Sequence, residues 1–189
     1  MPAAITNVIG FDDGPFDKFR PGDADVLLVG AVFARTRLDG VVSGRVRRDG
    51  RNATARMAEL LRGSRFDRHV RAVLLGGIAV AGFNVVDMHA LCAALGRPVV
   101  VVARRPPRFP AIRRALEQVR GGEKKWALIE AAGPMEPVRG IYVQRAGITL
   151  ADTAALLEAT TLHGKLPEPL RVAHLIAGGV VTGASRGRA

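Results

Sequence analysis

Cysteine is almost missing from this sequence. Cys92 is the single example in 189 residues, which rules out an internal disulfide framework and a cysteine-ligated zinc centre. It falls on the apolar side of an expected helix, where a thiol packs as a small core residue. Aromatic residues are scarce as well, at 5%, which argues against a stacking platform for single-stranded nucleic acid. Phe11, Phe16, Phe33 and Phe83 are expected in the core. No apolar run approaches the roughly 20 residues needed to cross a bilayer, so no membrane partner is expected. The opening stretch MPAAITNVIGFDDG has neither the basic start nor the long apolar segment of a signal peptide, and the expected location is cytoplasmic. Internal repeats are absent, and no G-x-G-x-x-G follows the first apolar run, which weakens a Rossmann reading.

What is present is a globular composition, with 48% apolar and 24% charged residues, at a length that suits one domain over 1–189. Lys and Arg number 28 against 17 Asp and Glu, a formal charge of +11. Such a surplus suits a polyanionic partner, because each neutralised phosphate releases counterions. A GC-rich genome inflates arginine, alanine and glycine in the same way, so composition alone names no partner.

Residues 5–11 form a short apolar run stopped by Asp12-Asp13-Gly14-Pro15, the pattern of a buried strand ended by turn chemistry. Residues 26–34 (VLLVGAVFA) are apolar throughout, as in a central strand. Residues 38–46 alternate and pair back through a hairpin around 35–37. Asn52 is placed to N-cap a helix over 53–62. Further strands are expected at 70–75 and 99–103, with a helix over 83–95 closed by Gly96 between them. A basic helix at 111–119, two far-edge strands at 126–131 and 138–143, and a helix at 150–162 follow. Pro167 and Glu168 open a last helix. Hairpin-linked strands followed by crossovers predict an α/β fold, a mixed sheet of about five strands flanked by helices. That is the ribonuclease H-like arrangement.

Chemistry gathers at a few places. Asp12 ends the first strand, at the edge where an open α/β sheet places its ligands, and Asp13 points to the opposite face. Carboxylates from separate strands hold hard cations such as Mg²⁺ or Mn²⁺, which position water at a phosphodiester. A plain Asp-Asp-Gly-Pro turn has the same composition. Asp49 follows the third strand and offers a second carboxylate, or a simple Asp-Gly turn. Arg171 and His174 share one face of the last helix, able to meet a phosphate or buttress the acids, with Val172, Leu175 and Ile176 as the packing side. Arg104, Arg105, Arg108, Arg113 and Arg114, together with Lys124 and Lys125, form the densest basic patch and the leading candidate for backbone contact. Arg186 belongs to a small, basic tail with the same potential.

Four blocks carry a family resemblance along nearly the whole chain. IGFDDGPF over 9–16, RDGRNAT over 48–54, GGIAVAGFNVVD over 76–87, and PEPLRVAHLIAGG with the ending GASRGRA look like the archaeal endonuclease dU family, which is related to endonuclease V. The resemblance implies a metal-dependent nuclease of ribonuclease H-like fold. Its substrate would be DNA holding a deaminated base such as deoxyuridine or deoxyinosine, with RNA as the alternative. It assigns Asp12 to the first metal-binding aspartate. The expected catalytic set is Asp12, Asp49 and His174; the expected metal ligands are Asp12, Asp13 and Asp49; Arg104, Arg105, Arg108, Arg171 and Arg186 are the expected nucleic-acid contacts. An extruded base would be inspected near Asp13 and Gly76-Gly77.

The chain departs from the pattern twice. Where family members resemble LDGI it reads Leu75-Gly76-Gly77-Ile78, and Asn52 stands in place of the acid of a D-A-T element. Asp87 either substitutes for the lost acid or sits plainly on its helix. Two readings stay open: a working endonuclease, and a nucleic-acid-binding protein that keeps the nuclease fold without its catalysis. A small-molecule or protein-interaction module is a third.

Overall fold

Hairpins come first in this chain and crossovers later, and that order builds the sheet. The computed structural model describes residues 5–17 and 25–185. Strands β1 (Asn7–Asp13), β2 (Asp25–Ala34) and β3 (Arg37–Arg47) pair antiparallel in sequence, with Arg35 at positive φ in the turn between β2 and β3. Helix α1 (Ala53–Arg62) then returns the chain so that β4 (Ala72–Leu75) lies parallel to β1. A two-strand ribbon of β5 (Ala79–Val80) and β6 (Asn84–Val85) precedes α2 (Met88–Leu95), which delivers β7 (Val99–Ala103) parallel to β4. Helices α3 (Phe109–Leu116) and α4 (Gly122–Ala131) lead to the hairpin β8 (Glu136–Val138) and β9 (Ile141–Ala146). The chain closes with α5 (Leu150–Thr160) and α6 (Glu168–Thr182). Among the described residues the main sheet has seven strands, ordered β3-β2-β1-β4-β7-β9-β8, not about five.

Alternate residues of the central strands feed two apolar layers. Ile9, Phe11, Val73, Leu75, Val99 and Val101 face α1 and α2, while Val8, Ala72, Leu74, Val100 and Val102 face α5 and α6. Both faces are covered, which is why these strands read as unbroken apolar runs. No helix among the described residues is long and apolar enough to cross a membrane.

Three local expectations are corrected. Residues 126–131 are part of helix α4, not a strand. A short apolar run fits either state, and here Gly122, Lys125 and Ile129 are the buried positions, a helical spacing. The helix expected from residue 83 begins at Met88, because Asp87 caps it by accepting from Ala90 N–H at 2.8 Å. Asn52 does not cap α1 with its side chain; Asn84 accepts the Ala53 N–H at 3.0 Å instead.

Asn84 is a buried hub. Its amide also donates to the Arg47 carbonyl at 2.9 Å and to Asn52 Oδ1 at 2.8 Å, tying the β5–β6 ribbon to the turn after β3. Asn84→Ala strands a buried N–H and a carbonyl, so urea unfolding should show a loss of about 3 kcal/mol. An unchanged midpoint would mean that the network contributes nothing.

The last helix crosses β1 unusually closely. A Cβ on Gly10 would lie 2.5 Å from the Pro169 carbonyl carbon and 2.8 Å from Leu170 N. Helix α6 buries Leu170, Ala173 and Ala177 toward the sheet; Val172, Leu175 and Ile176 are only partly covered.

Candidate active site

The close crossing of β1 and α6 decides what Asp12 meets. Residues alternate along β1, so Asp12 shares the α6 face with Val8 and Gly10. There its Oδ2 lies 3.0 Å from His174 Nδ1, one residue from the buried Ala173. Its Oδ1 accepts the Asp13 N–H at 3.0 Å. Asp13 turns to the other face, where its Oδ2 accepts the Ala81 N–H at 2.8 Å.

Burial pushes the Asp12 carboxyl up to about 6, and the neighbouring Asp13 charge pushes in the same direction. The Asp13 N–H and His174 oppose the rise without cancelling it. Asp13 is raised as well, chiefly by burial. Two desolvated acids side by side are short of positive charge, a common condition of functional carboxylates.

That shift fixes a pH dependence. The Asp12 carboxyl titrates near 3.8 when unfolded and near 6 when folded, so between those values the folded state holds a proton that the unfolded chain releases. Stability therefore falls as pH rises through this window, and the cost, on the order of 3 kcal/mol, persists above it. Asp12→Asn should raise the melting temperature at pH 7.5 and leave it nearly unchanged near pH 4. A gain of equal size at both values would show that Asp12 carries no such penalty.

Gly76 follows β4 directly beside this pair. Its N–H donates to the Phe11 carbonyl at 3.2 Å, and a Cβ there would sit 3.4 Å from Asp12 Oδ1. A side chain at this position would face Asp12; glycine leaves the space open.

Asp49 is engaged elsewhere. It sits at positive φ in the turn after β3, its N–H donates to the Ala81 carbonyl at 2.9 Å, and its Oδ1 accepts the Phe83 N–H at 2.7 Å. The Ala81 peptide is thus gripped by Asp13 on its N–H and by the Asp49 N–H on its carbonyl. Asn52 Oδ1 accepts from Arg47 N–H and Asn84, and Asp87 caps α2. Among the described residues, no three His, Cys, Asp or Glu side chains converge on a metal-holding position. The donor set suits one hard cation at Asp12 that keeps most of its waters, as Mg²⁺ does with one or two carboxylates. It lacks the bridging acids of a two-metal centre.

Of the expected cationic contacts, Arg171 is held by the buried Glu168, with its Nε 3.0 Å from both carboxylate oxygens and Nη2 2.6 Å from Oε2. Arg104, Arg105 and Arg108 are exposed and follow the C-terminal end of β7. Strands β1, β4 and β7 are parallel, so these arginines project at the same sheet edge as Asp12. Arg113 lies over the Trp126 ring at 5.5 Å. Lys125, expected in the solvated patch, is 2% exposed and donates from Nζ to the Asp49 carbonyl at 2.5 Å. Arg186 lies outside the described residues. Sequence reasoning missed Gly10 and Asn84. The one signal was a glycine inside an otherwise apolar strand, which marks close backbone approach.

A helix-flanked mixed sheet with a parallel centre, Asp12 next to last in its first strand and His174 set against it by the last helix make this a mixed α/β protein with an acid–imidazole pair at its sheet edge. Residues 4–181 match the family described as Endonuclease dU, and the chain belongs to that family. A UPF0215 protein of Deinococcus radiodurans is 56% identical over 185 residues, covering 97% of this chain and 93% of the relative. The crystal structure of a protein of unknown function from Archaeoglobus fulgidus superposes with a TM-score of 0.87 at 30% identity, over 94% of this chain and 99% of that one. Endonuclease V of Ciona intestinalis, in complex with a 24mer DNA containing an inosine followed by a ribo-adenosine, shares the fold. It has a TM-score of 0.56 at 15% identity, over 91% of this chain and 84% of that one.

Proposed function

We propose that this chain is a metal-dependent endonuclease that cuts DNA at a deaminated base, deoxyuridine or deoxyinosine, and serves DNA repair. The observation that carries the reading is the Asp12–His174 contact at the open sheet edge, with the Asp12 carboxyl held near 6 and in need of a cation. Family membership and the fold shared with endonuclease V support it. Mg²⁺ or Mn²⁺ would supply a positioned water and charge stabilisation at the scissile phosphate. Asp12 would hold the ion, with Asp13 adding negative potential from the adjacent face. His174 fixes the Asp12 carboxylate through Nδ1, which leaves Nε2 to exchange a proton with a phosphate oxygen. The exposed Arg104, Arg105 and Arg108 grip the backbone, because guanidinium forks match phosphate oxygens. The space beside Gly76 and Gly77 receives the extruded base.

A second reading draws on one observation: Gly76 places no carboxylate beside Asp12, so the acids reaching the metal position are few. A protein that keeps the fold for recognition alone would look the same. Incubating a labelled duplex that holds one deoxyuridine or deoxyinosine with Mg²⁺ or Mn²⁺ separates the two. Nicking by the wild type establishes the enzyme, and salt-sensitive binding without nicking establishes the binding protein.

A further inference from the structure

A second basic feature lies at the same sheet edge, two strands from Asp12 on the side away from β7. Strand β3 is antiparallel to β2, which is antiparallel to β1, so β3 ends where β1 ends. Beyond that end a cleft of about 610 Å³ opens between the turn after β3 and the turn joining α3 to α4. Arg47, Arg48, Arg51 and Arg120 line it, and Asp49 is the only acid among its described lining residues.

Three of the four arginines in this cleft carry charge that no described carboxylate offsets. Among the described residues, Arg47, Arg51 and Arg120 have no carboxylate partner. The Asp49 carboxylate spends one oxygen on the Phe83 N–H and lies 3.9 Å from Arg48. Behind Asp49 sits buried Lys125, donating to the Asp49 carbonyl. Unpaired arginines lining one cleft suit an anion, and guanidinium forks match phosphate oxygens in two-point contacts.

The frame around the cleft is built before any ligand arrives. Asn52 and Asn84 tie Arg47 to the start of α1, and Asp49 clips the Ala81–Gly82 turn. A Cβ on Gly82 would collide with Asp49 Oδ1, so the turn packs directly on this acid. Holding the backbone in advance lowers the ordering cost of binding.

We propose that this arginine cleft is a phosphodiester-binding subsite, holding the nucleic-acid strand on the β3 side of Asp12 as Arg104, Arg105 and Arg108 hold it on the β7 side. The sheet order β3-β2-β1-β4-β7 puts Asp12 midway between the two basic clusters. Four strand spacings span about 19 Å, about the axial rise of five or six base steps of a duplex. A strand laid across this edge therefore meets arginines at both ends and the acids at its centre. The assignment rests on the reading of the chain as a protein acting on nucleic acid.

The test is the salt dependence of binding to a fluorescein-labelled duplex holding one deoxyuridine, measured without divalent metal. Arg51→Ala/Arg120→Ala should reduce the slope of log K against log salt by about 2, since each phosphate contact contributes about 0.9. Both side chains are exposed and unpaired among the described residues, so thermal melting should show an intact fold. Arg37→Ala/Arg65→Ala removes the same charge at the opposite edge, where both line one pocket with Asn7, and should leave the slope unchanged. An unaltered slope in the first variant overturns the subsite. So does full competition by a mononucleotide, which would make the cleft a free-nucleotide site. Adding Mg²⁺ to the same duplex reads the nuclease activity separately. Nicking with an unaltered slope refutes the subsite alone, whereas a cleft-dependent slope without nicking upholds the subsite and refutes only the nuclease.

Discussion

Asp12→Ala should lower nicking of a deoxyuridine duplex by about a thousandfold, the loss seen when a group that stabilises transition-state charge is removed. Asp12 is the last residue of the α6-facing row of β1, one position beyond the buried Phe11, so its carboxylate leaves the core at the edge of the sheet. Its side chain is 19% exposed, enough to meet a ligand and too little to be fully hydrated. Removing it takes away the one carboxylate that His174 holds. Duplex binding should change little, because the proposed arginine contacts flank the acids and do not include Asp12. His174→Ala should cost about a hundredfold, with Asp12 still able to hold a cation. If His174→Ala were as damaging as Asp12→Ala, the histidine would belong to the metal site itself; if Asp12→Ala kept its activity, the centre would lie elsewhere.

Gly10→Ala should destabilise the fold by about 3 kcal/mol, at the upper end of overpacking costs. Even one methyl group would lie 2.5 Å from the Pro169 carbonyl carbon and 2.7 Å from its Cβ. Both obstacles belong to the start of α6, a proline-stiffened backbone that cannot yield as a flexible side-chain tip does. The helix must move outward, and His174, on that helix, moves with it. Two readouts are therefore linked: the urea midpoint falls, and Asp12 loses its 3.0 Å contact, visible as a change in the His174 imidazole signals by NMR. Wild-type stability with unchanged His174 signals would mean that the crossing is loose.

Much of this architecture was legible because several signals coincided. The apolar runs of β2 and β7, the turn chemistry after Asp12-Asp13 and the helix over 53–62 each agree between pattern and structure. The run at 126–131 did not announce itself, since a few apolar residues fit strand or helix equally and tertiary packing of Ile129 decides. Lys125 reads as surface in any composition-based view; only the fold shows its amine satisfied by the Asp49 carbonyl. At the candidate site, Asp12 and its strand were readable from the chain, and His174 was readable as a candidate. Their contact joins residues 162 positions apart, and no local pattern encodes that distance. The arginine cleft was invisible for the same reason, because Arg120 reaches it from a different turn than Arg47, Arg48 and Arg51.

The proposed chemistry requires a single cation at Asp12, and counting bound cations tests it most directly. Mn²⁺ titration followed by electron paramagnetic resonance at pH 7.5 should reveal one site per chain in the wild type and none in Asp12→Asn. A site that survives Asp12→Asn, or a wild type that binds no Mn²⁺, would contradict the assignment of this edge as the chemical centre.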